Sequence, residues 1–406
     1  MKAFRGILSV FSRELKLIGK DHSLLLTLLI APLLYLFFYG SIYSYKEEEK
    51  VKLVVVDDDQ TGLSRLLTQQ INNLQMVDVL FEPSVDRAQH LMYEGGCQGY
   101  LYIDKGLEQK VLSLHQGNVV LAVNAARFLP SSDIVASVTT ICLTVSAGVR
   151  MQYFEMKGLT EQTSLKEAMP VNLDYRPMFN ERSSYGAFLL PGLLMLILQQ
   201  TLLLGLGESV AAERMKKTLP EWFSNTNDNI FQGIIGKGAF YFILFACYAL
   251  FVLTINFSVF HLTLTGSIWA LAFLITVFLL TLIPMAMWIG SFFKSQLLCL
   301  QIMAFSSYPF FLITGYSWPF RMLPFFVQVV SSLLPTTPFM QAYISVAQQG
   351  GTLGDNITAA VHLLGLMVLF SFLCFWRFRW LMGKSSGVFK KRLKIVQLFR
   401  CQRSLQ

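Results

Sequence analysis

Apolar residues run almost unbroken over residues 24–43, and then about 140 mostly polar residues pass before the next such run. Further apolar runs occupy residues 185–206, 238–260, 267–293, 297–313 and 359–376, with no Asp, Glu, Lys or Arg in their interiors. Crossing the hydrocarbon core takes roughly 20 residues of helix at about 1.5 Å rise per residue. In lipid the backbone must satisfy its own hydrogen bonds, so runs of this length and composition are helices. The pattern predicts a polytopic α-helical membrane protein of six transmembrane helices with an inserted extracytoplasmic α/β domain.

The polar insert, residues 45–183, has a different rhythm. Residues 51–56 form a β-branched run closed by Asp57-Asp58-Asp59 and Thr61-Gly62, a strand followed by a turn. Residues 63–74 and 85–93 have helical spacing, while 76–81 and 99–103 read as strands. Strands alternating with short helices predict a βαβ-type unit with a partly parallel sheet. From Ser131 to about Leu159 one long helical stretch follows, free to pack back on that sheet or to pair with a second copy.

Two further stretches flank the spans. Phe4, Ile7, Leu8, Phe11, Leu15 and Ile18 recur at helical spacing, with Arg5, Ser9, Arg13, Lys16 and Lys20 largely elsewhere. This is the pattern of an amphipathic helix lying in the cytosolic interface; the plainer alternative is a basic lead-in to the first span. Between Tyr316 and Pro338 lie Pro319, Pro324, Pro335 and Pro338, bracketing apolar pieces too short to cross a bilayer. A re-entrant or interfacial helix pair at residues 316–340 is expected, with Tyr316, Trp318 and Phe320 at the interface level.

Composition supports the membrane class and removes others. A chain of 406 residues that is 54% hydrophobic and 14% charged lies outside the ordinary soluble range. Its net charge of +8 would suggest nucleic acid, but residues 45–183 hold 18 acidic against 13 basic residues. The positive excess sits beside the spans, at Lys2, Arg5, Arg13, Lys16 and Lys20 and in the tail from Arg377 to Arg403, which lacks a carboxylate. Juxtamembrane basic clusters report orientation and contact with membrane lipids. Both termini are therefore expected in the cytosol, and the insert outside it. The first run is read as an uncleaved anchor rather than a signal peptide, because it is long and no small-residue cleavage site follows.

Candidate chemistry is sparse. Of the six cysteines only Cys97 and Cys142 share the oxidising side, where a disulfide is conceivable, and no Cys/His cluster suggests a metal. The Asp57–Asp59 run lacks the spacing of a calcium loop and reads as turn and capping carboxylates. No acidic or histidine relay lines the spans, which argues against proton-coupled transport. The amides Gln199, Gln200 and Asn256 either bridge helices or line a path. No phosphate-binding loop is present: Gly233, Gly236, Lys237 and Gly238 have the wrong spacing. If the protein performs work, the energy comes from elsewhere, through the cytosolic face. The charged segment 208–224, E-S-V-A-A-E-R-M-K-K-T-L-P-E-W-F-S, is the natural contact, with Pro220 expected to end one helix and Glu221-Trp222 to begin the next.

Three motifs then carry a resemblance. Glu213-Arg214-Met-Lys-Lys-Thr218-Leu219-Pro-Glu221 is similar to the E-R-x-x-G-T-L-E cytosolic segment of type-2 ABC exporter permeases, with Lys217 in the usual glycine position and Pro220 inserted. Tyr175-Arg176-Pro177-Met178-Phe179-Asn180, followed by Leu190-Pro191-Gly192, resembles that family's N-P and L-P-G-L lead into the second span. Gly315-Tyr316-Ser317-Trp318-Pro319 through Met322-Leu323-Pro324 and Leu334-Pro335-Thr336-Thr337-Pro338 resembles its outer re-entrant region.

The resemblance implies an export permease without its own ATPase. It divides the chain into an interfacial helix (1–23), a first span (24–44), an extracytoplasmic, periplasmic domain (45–183), spans two to six (184–377) with a coupling segment at 207–230, and a basic cytosolic tail (378–406). It implies an ABC ATPase subunit as partner, which brings ATP and Mg, a second permease copy or paralogue, and a periplasmic adaptor in a double-membraned cell. Arg13, Glu14, Glu213, Arg214, Thr218, Leu219 and Glu221 are the implied coupling residues, and Gly315, Trp318, Pro319 and Pro324 the re-entrant ones. The expected substrate is amphiphilic, drug-like or lipid-like, and the expected location the inner (plasma) membrane. A receptor or assembly protein using the external α/β domain to bind a ligand is the competing reading, disfavoured by the number of spans.

Overall fold

The computed structural model describes residues 2–42, 50–113, 115–171, 176, 178–180, 184–260, 262 and 264–403, and the side chains of 2, 3, 129, 256 and 384–403 lie outside that description. Two compact units emerge, one of Met1–Ser44 with Ala187–Gln406 and one of Tyr45–Gly186. Of the motif residues quoted above, Tyr175 and Pro177 lie outside the described residues, as does the side chain of Asn256.

In chain order, helix α1 (Lys2–Ile18) leads into α2 (His22–Ile42). The second unit holds β1 (Val51–Asp57), α3 (Gly62–Asn72), β2 (Val77–Phe81), α4 (Val85–Tyr93), β3 (Gly99–Ile103), α5 (Leu107–Leu112), β4 (Val119–Val123), α6 (Phe128–Met156) and α7 (Glu161–Ala168). The chain then returns through α8 (Tyr185–Lys216), α9 (Leu219–Ser224), α10 (Ile230–Val259), α11 (Ile268–Gly290), α12 (Gln296–Ile313), α13 (Phe325–Ser332), α14 (Thr336–Gln348) and α15 (Ile357–Arg403).

In the second unit the sheet runs β2-β1-β3-β4, with β1 parallel to both neighbours and β4 antiparallel to β3. The strand β4 was not anticipated from the sequence. Because side chains alternate along a strand, β1 feeds two cores. Leu53 and Val55 pack with Ile71, Leu101, Ile103, Ile134 and Val138, whereas Val54 and Val56 pack with Ala88 and Cys97. Cys97 therefore lies across the sheet from Cys142, which packs on the first core, and both are free thiols. The Asp57–Asp59 run closes a turn. Asp57 accepts from the amides of Asp59 and Gln60 and from the Ser64 hydroxyl, and Asp59 accepts from Thr61 and from the amides of Gly106 and Glu108.

Seven helices among the described residues are long and apolar enough to cross a membrane, one more than the sequence pattern predicts. The addition is the Pro130–Met156 portion of α6, whose Ile134 and Val138 are buried in the sheet core. Spans also reach further at one end than the apolar runs imply. Glu208, Glu213 and Arg214 fall within α8, Lys237 within α10 and Arg377 within α15.

Within the first unit, α8 and α11 form the interior and α2, α12 and α15 the exterior; 78% of the apolar window is buried in each of the first pair. The L-P-G and G-Y motifs meet there. Pro191 interrupts the α8 backbone ladder, and the Tyr316 hydroxyl enters the break, accepting from the Gly192 amide at 3.1 Å and donating to the Phe188 carbonyl. A Cβ on residue 192 would stand 2.3 Å from the Tyr316 ring, so only glycine fits. Gly315 makes the turn with φ +85°, and Pro324 and Pro335 immediately precede α13 and α14.

Candidate functional site

Helix α1 lies along the first half of α10. Its buried stripe is Gly6, Val10, Glu14 and Ile18, spaced by four. Phe4, Leu8 and Leu15 remain exposed, so the apolar face read from the sequence splits in two. Ile7, Phe11 and Ile18 turn toward the bundle, and the others face outward where a bilayer surface would lie. Gly236 of α10 permits the close crossing: a Cβ there would be 2.9 Å from Val10 Cβ and 3.0 Å from the Ile7 carbonyl. The glycine run at 233–238 is thus a packing surface.

A polar residue at the centre of a buried stripe needs a partner, and Glu14 has one. Lys237 Nζ lies 2.7 Å from Glu14 Oε2, and both side chains are fully buried. Lys237 also donates to Ser209 Oγ at 2.8 Å and stands 4.8 Å above the Trp222 ring. The adjacent and partly exposed Arg13 makes a two-pronged pair with Glu213 at 2.5 and 3.0 Å. Arg13 is 3.5 Å from Glu14, and Lys237 is 3.9 Å from Glu213. Two cations and two carboxylates from α1, α8 and α10 therefore form one neutral cluster. Although burial lowers it, the Glu213 carboxylate raises the Arg13 pKa above the ordinary arginine value.

The backbone shapes this site as well. Helix α8 ends at Lys216, Lys217 takes φ +58°, the Thr218 amide donates to Glu213 O at 3.0 Å, and the Lys217 amide to Arg214 O at 3.4 Å. That is a Schellman close with lysine in the position glycine favours. Contrary to expectation, Pro220 does not end α8. It sits in the first turn of α9, where a missing N–H costs nothing. The Thr218 hydroxyl donates to Glu213 Oε2, so the turn and the ion cluster share one carboxylate. Trp222 and Phe223 of α9 are fully buried, with Trp222 donating to the Gly233 carbonyl at 3.1 Å and both rings packed on Phe378 of α15.

A second polar cluster lies at the start of α2. Glu208 is fully buried and accepts from Ser23, from Thr27 at 3.3 Å and from Gln296 at 2.9 Å. Asp21 caps α2 through the Ser23 and Leu24 amides and pairs with Lys216 at 3.2 Å. Burial raises its pKa, but the bonds from Lys216, Leu24 and Gln296 outweigh this and hold it below the ordinary carboxylate value.

The remaining residues singled out from the sequence distribute as follows. Arg214 is not in the ion cluster and donates instead to the Ser291 carbonyl at the end of α11. Leu219 packs partly against the core, and Glu221 is exposed. Gln199 accepts from Thr336 at 2.5 Å, and Gln200 donates to the Met303 carbonyl at 2.6 Å, so each amide joins α8 to a neighbouring element. Trp318 is exposed. Lys237, Ser209, Glu208 and Trp222 were not singled out from the sequence as coupling or site residues. For Lys237 the available signal was a lone lysine set among glycines at the head of an apolar run, and for Glu208 a carboxylate two residues beyond one.

These features define a multi-pass membrane protein whose ionisable groups gather at the ends of its helices. The family described as ABC-2 family transporter protein matches residues 22–378, and the chain belongs to it. It is thus a membrane component of an ABC-type transport system rather than the ATPase. No curated protein matches the chain.

Proposed function

We propose that the chain is the permease subunit of an ABC exporter in the inner (plasma) membrane, driven by a separate ATPase that binds ATP and Mg. Helices α2, α8, α10, α11, α12 and α15 are its six spans, both termini face the cytosol, and the Tyr45–Gly186 unit faces outward. The burial of Ile134 and Val138 against the sheet supports assigning α6 to that outer unit, because an open sheet edge is not tolerated in hydrocarbon. Two permeases, as a homodimer or with a paralogue, enclose the path. The substrate is amphiphilic, drug-like or lipid-like, since the amides Gln199 and Gln200 bond neighbouring elements and leave the path largely apolar. A periplasmic adaptor meets the outer unit in a double-membraned cell.

The observation that carries the reading is the ion cluster of Arg13, Glu14, Glu213 and Lys237. The ATPase presses on α1 and on the exposed Glu221 edge of α9. The cluster makes α1 and the ends of α8 and α10 move as one body, because separating any of them strands a buried charge. Motion then reaches α8 at the bundle interior. The test is purification of the chain with an ATP-hydrolysing subunit, with reporters fused after Gln406 and inserted near Gly95. Co-purification with a cytosolic Gln406 and an external Gly95 is expected. A chain that purifies with no ATPase, or reversed reporter signals, would contradict the proposal.

A further inference from the structure

Arg214 and Arg377 converge on one residue. Arg214 Nη1 and Arg377 Nη2 both donate to the Ser291 carbonyl, the latter at 3.4 Å, and Arg377 Nε donates to Ser291 Oγ at 3.2 Å. Ser291 is the C-cap of α11, so the negative end of a helix faces both cations. Capping accounts for only part of their chemistry. Each guanidinium carries five N–H donors, and the two together make only these three bonds within the described residues. Because both donate to one carbonyl oxygen, the two like charges lie side by side.

Among the described residues no carboxylate pairs with either arginine. The acidic residues of the first unit are Glu14, Asp21, Glu208, Glu213, Glu221, Asp228 and Asp355, and none occurs between Asp228 and Asp355 or after Asp355. Glu14, Asp21, Glu208 and Glu213 are engaged elsewhere, Asp355 bonds Thr352, and Glu221 and Asp228 are exposed without an ion pair among the described residues. The basic tail brings only more cations.

The surroundings are those of a membrane surface. The Arg377 guanidinium lies 4.2 Å from the Phe292 ring centre and 4.8 Å from that of Trp380, and both rings are half exposed. Guanidinium donors fixed between aromatic rings at the end of two spans suit a planar or tetrahedral oxyanion at headgroup depth. We infer that Arg214 and Arg377 bind the phosphate of an anionic phospholipid, with Ser291 holding the pair and Phe292 and Trp380 positioning Arg377. The Glu-Arg pair of the cytosolic motif then serves two ends: Glu213 the ion cluster, Arg214 a lipid headgroup. Only the identity of the leaflet, the cytosolic one, rests on the topology proposed above.

The test uses the full-length chain purified in detergent, without ATP or ATPase, so it fails or succeeds independently of the exporter reading. Retention of phosphatidylglycerol against phosphatidylcholine is read by native mass spectrometry, and thermal stability is read with each lipid and with inorganic phosphate. The wild-type chain is expected to retain phosphatidylglycerol preferentially and to gain stability from it. R214Q/R377Q should weaken that retention by about tenfold, the scale of one lost charge-assisted contact or more, while R379Q, an exposed neighbour, leaves it unchanged. Equal retention of the two lipids by the wild-type chain overturns the proposal even if the double variant fails to fold. So does unchanged retention in the double variant. Stabilisation by inorganic phosphate equal to that by phosphatidylglycerol overturns the lipid assignment in favour of a soluble anion.

Discussion

Lys237 and Glu14 stand 223 positions apart in the chain and 2.7 Å apart in space, with no solvent exposure on either side chain. The pair fastens α1 to α10, and its neighbours Arg13 and Glu213 fasten α1 to the end of α8. Removing one member strands its partner in a low-dielectric site, which typically costs about 3–5 kcal/mol, whereas replacing both with apolar residues of similar size is far milder. E14Q and K237M should each lower thermal stability in detergent strongly. The double variant E14Q/K237M should recover part of the loss, giving a non-additive cycle. Strictly additive losses would show that the two residues do not act together.

Lys217 carries a second, local prediction. Its φ of +58° closes the Schellman turn beneath Glu213, and an L side chain is disfavoured there. K217G should stabilise the protein by roughly 0.5–1 kcal/mol, whereas K217V should destabilise it. Thermal unfolding of both variants checks the sign. A destabilised K217G would mean that the lysine side chain makes a contribution greater than the backbone relief.

At the other end of the bundle, Y316F leaves the Gly192 N–H and the Phe188 carbonyl facing each other without the bridging hydroxyl. A loss of about 1–3 kcal/mol is expected for unsatisfied buried groups. G192A should be worse, because its Cβ meets the tyrosine ring at 2.3 Å. Adding Y316A to G192A should cost less than the sum of the two, since the obstacle is gone; additive losses in thermal unfolding would disprove the contact.

In the Tyr45–Gly186 unit, Asp59 joins the turn after β1 to the start of α5. Burial raises its pKa, but the Thr61 hydroxyl and the amides of Glu108, Gly106 and Leu107 lower it more, so it lies below the ordinary carboxylate value. A group with a depressed folded pKa stabilises above its unfolded value of about 4 and loses that contribution as pH falls through the folded value. Protection of the Leu107–Leu112 amides, taken as the ratio of intrinsic to observed exchange rate, should therefore fall below about pH 4 in the wild-type chain. The D59N variant should show low protection there already at neutral pH and a flatter pH profile of protection; identical profiles would sink the assignment.

Much of this architecture was legible along the chain because bilayer crossing and strand alternation are local properties. The apolar runs located α2, α8, α10, α11, α12 and α15, and the run at 51–56 located β1. What escaped depends on residues far apart or on backbone conformation. Pro220 looked like the end of α8 because proline breaks helices, yet Lys217 ends it through a dihedral that lysine does not advertise. Lys237 entered only as part of a glycine cluster with the wrong spacing for a phosphate loop, since nothing near it in the chain reveals that Glu14 arrives opposite. The motif pair Glu213-Arg214 was read as one unit, but neighbours on a helix point about 100° apart, and here they serve different partners. The apolarity of α6 gives a seventh candidate span because a helix covering a sheet and a helix in lipid share the same composition.

In the proposed function, Glu213 transmits ATPase motion through Arg13 and Lys237 to the spans. The most direct measurement is ATP-dependent transport by E213A in vesicles containing the permease and its ATPase. E213A is expected to insert into the membrane and bind the ATPase while transport falls to background. Transport at the wild-type rate by an inserted E213A would contradict it.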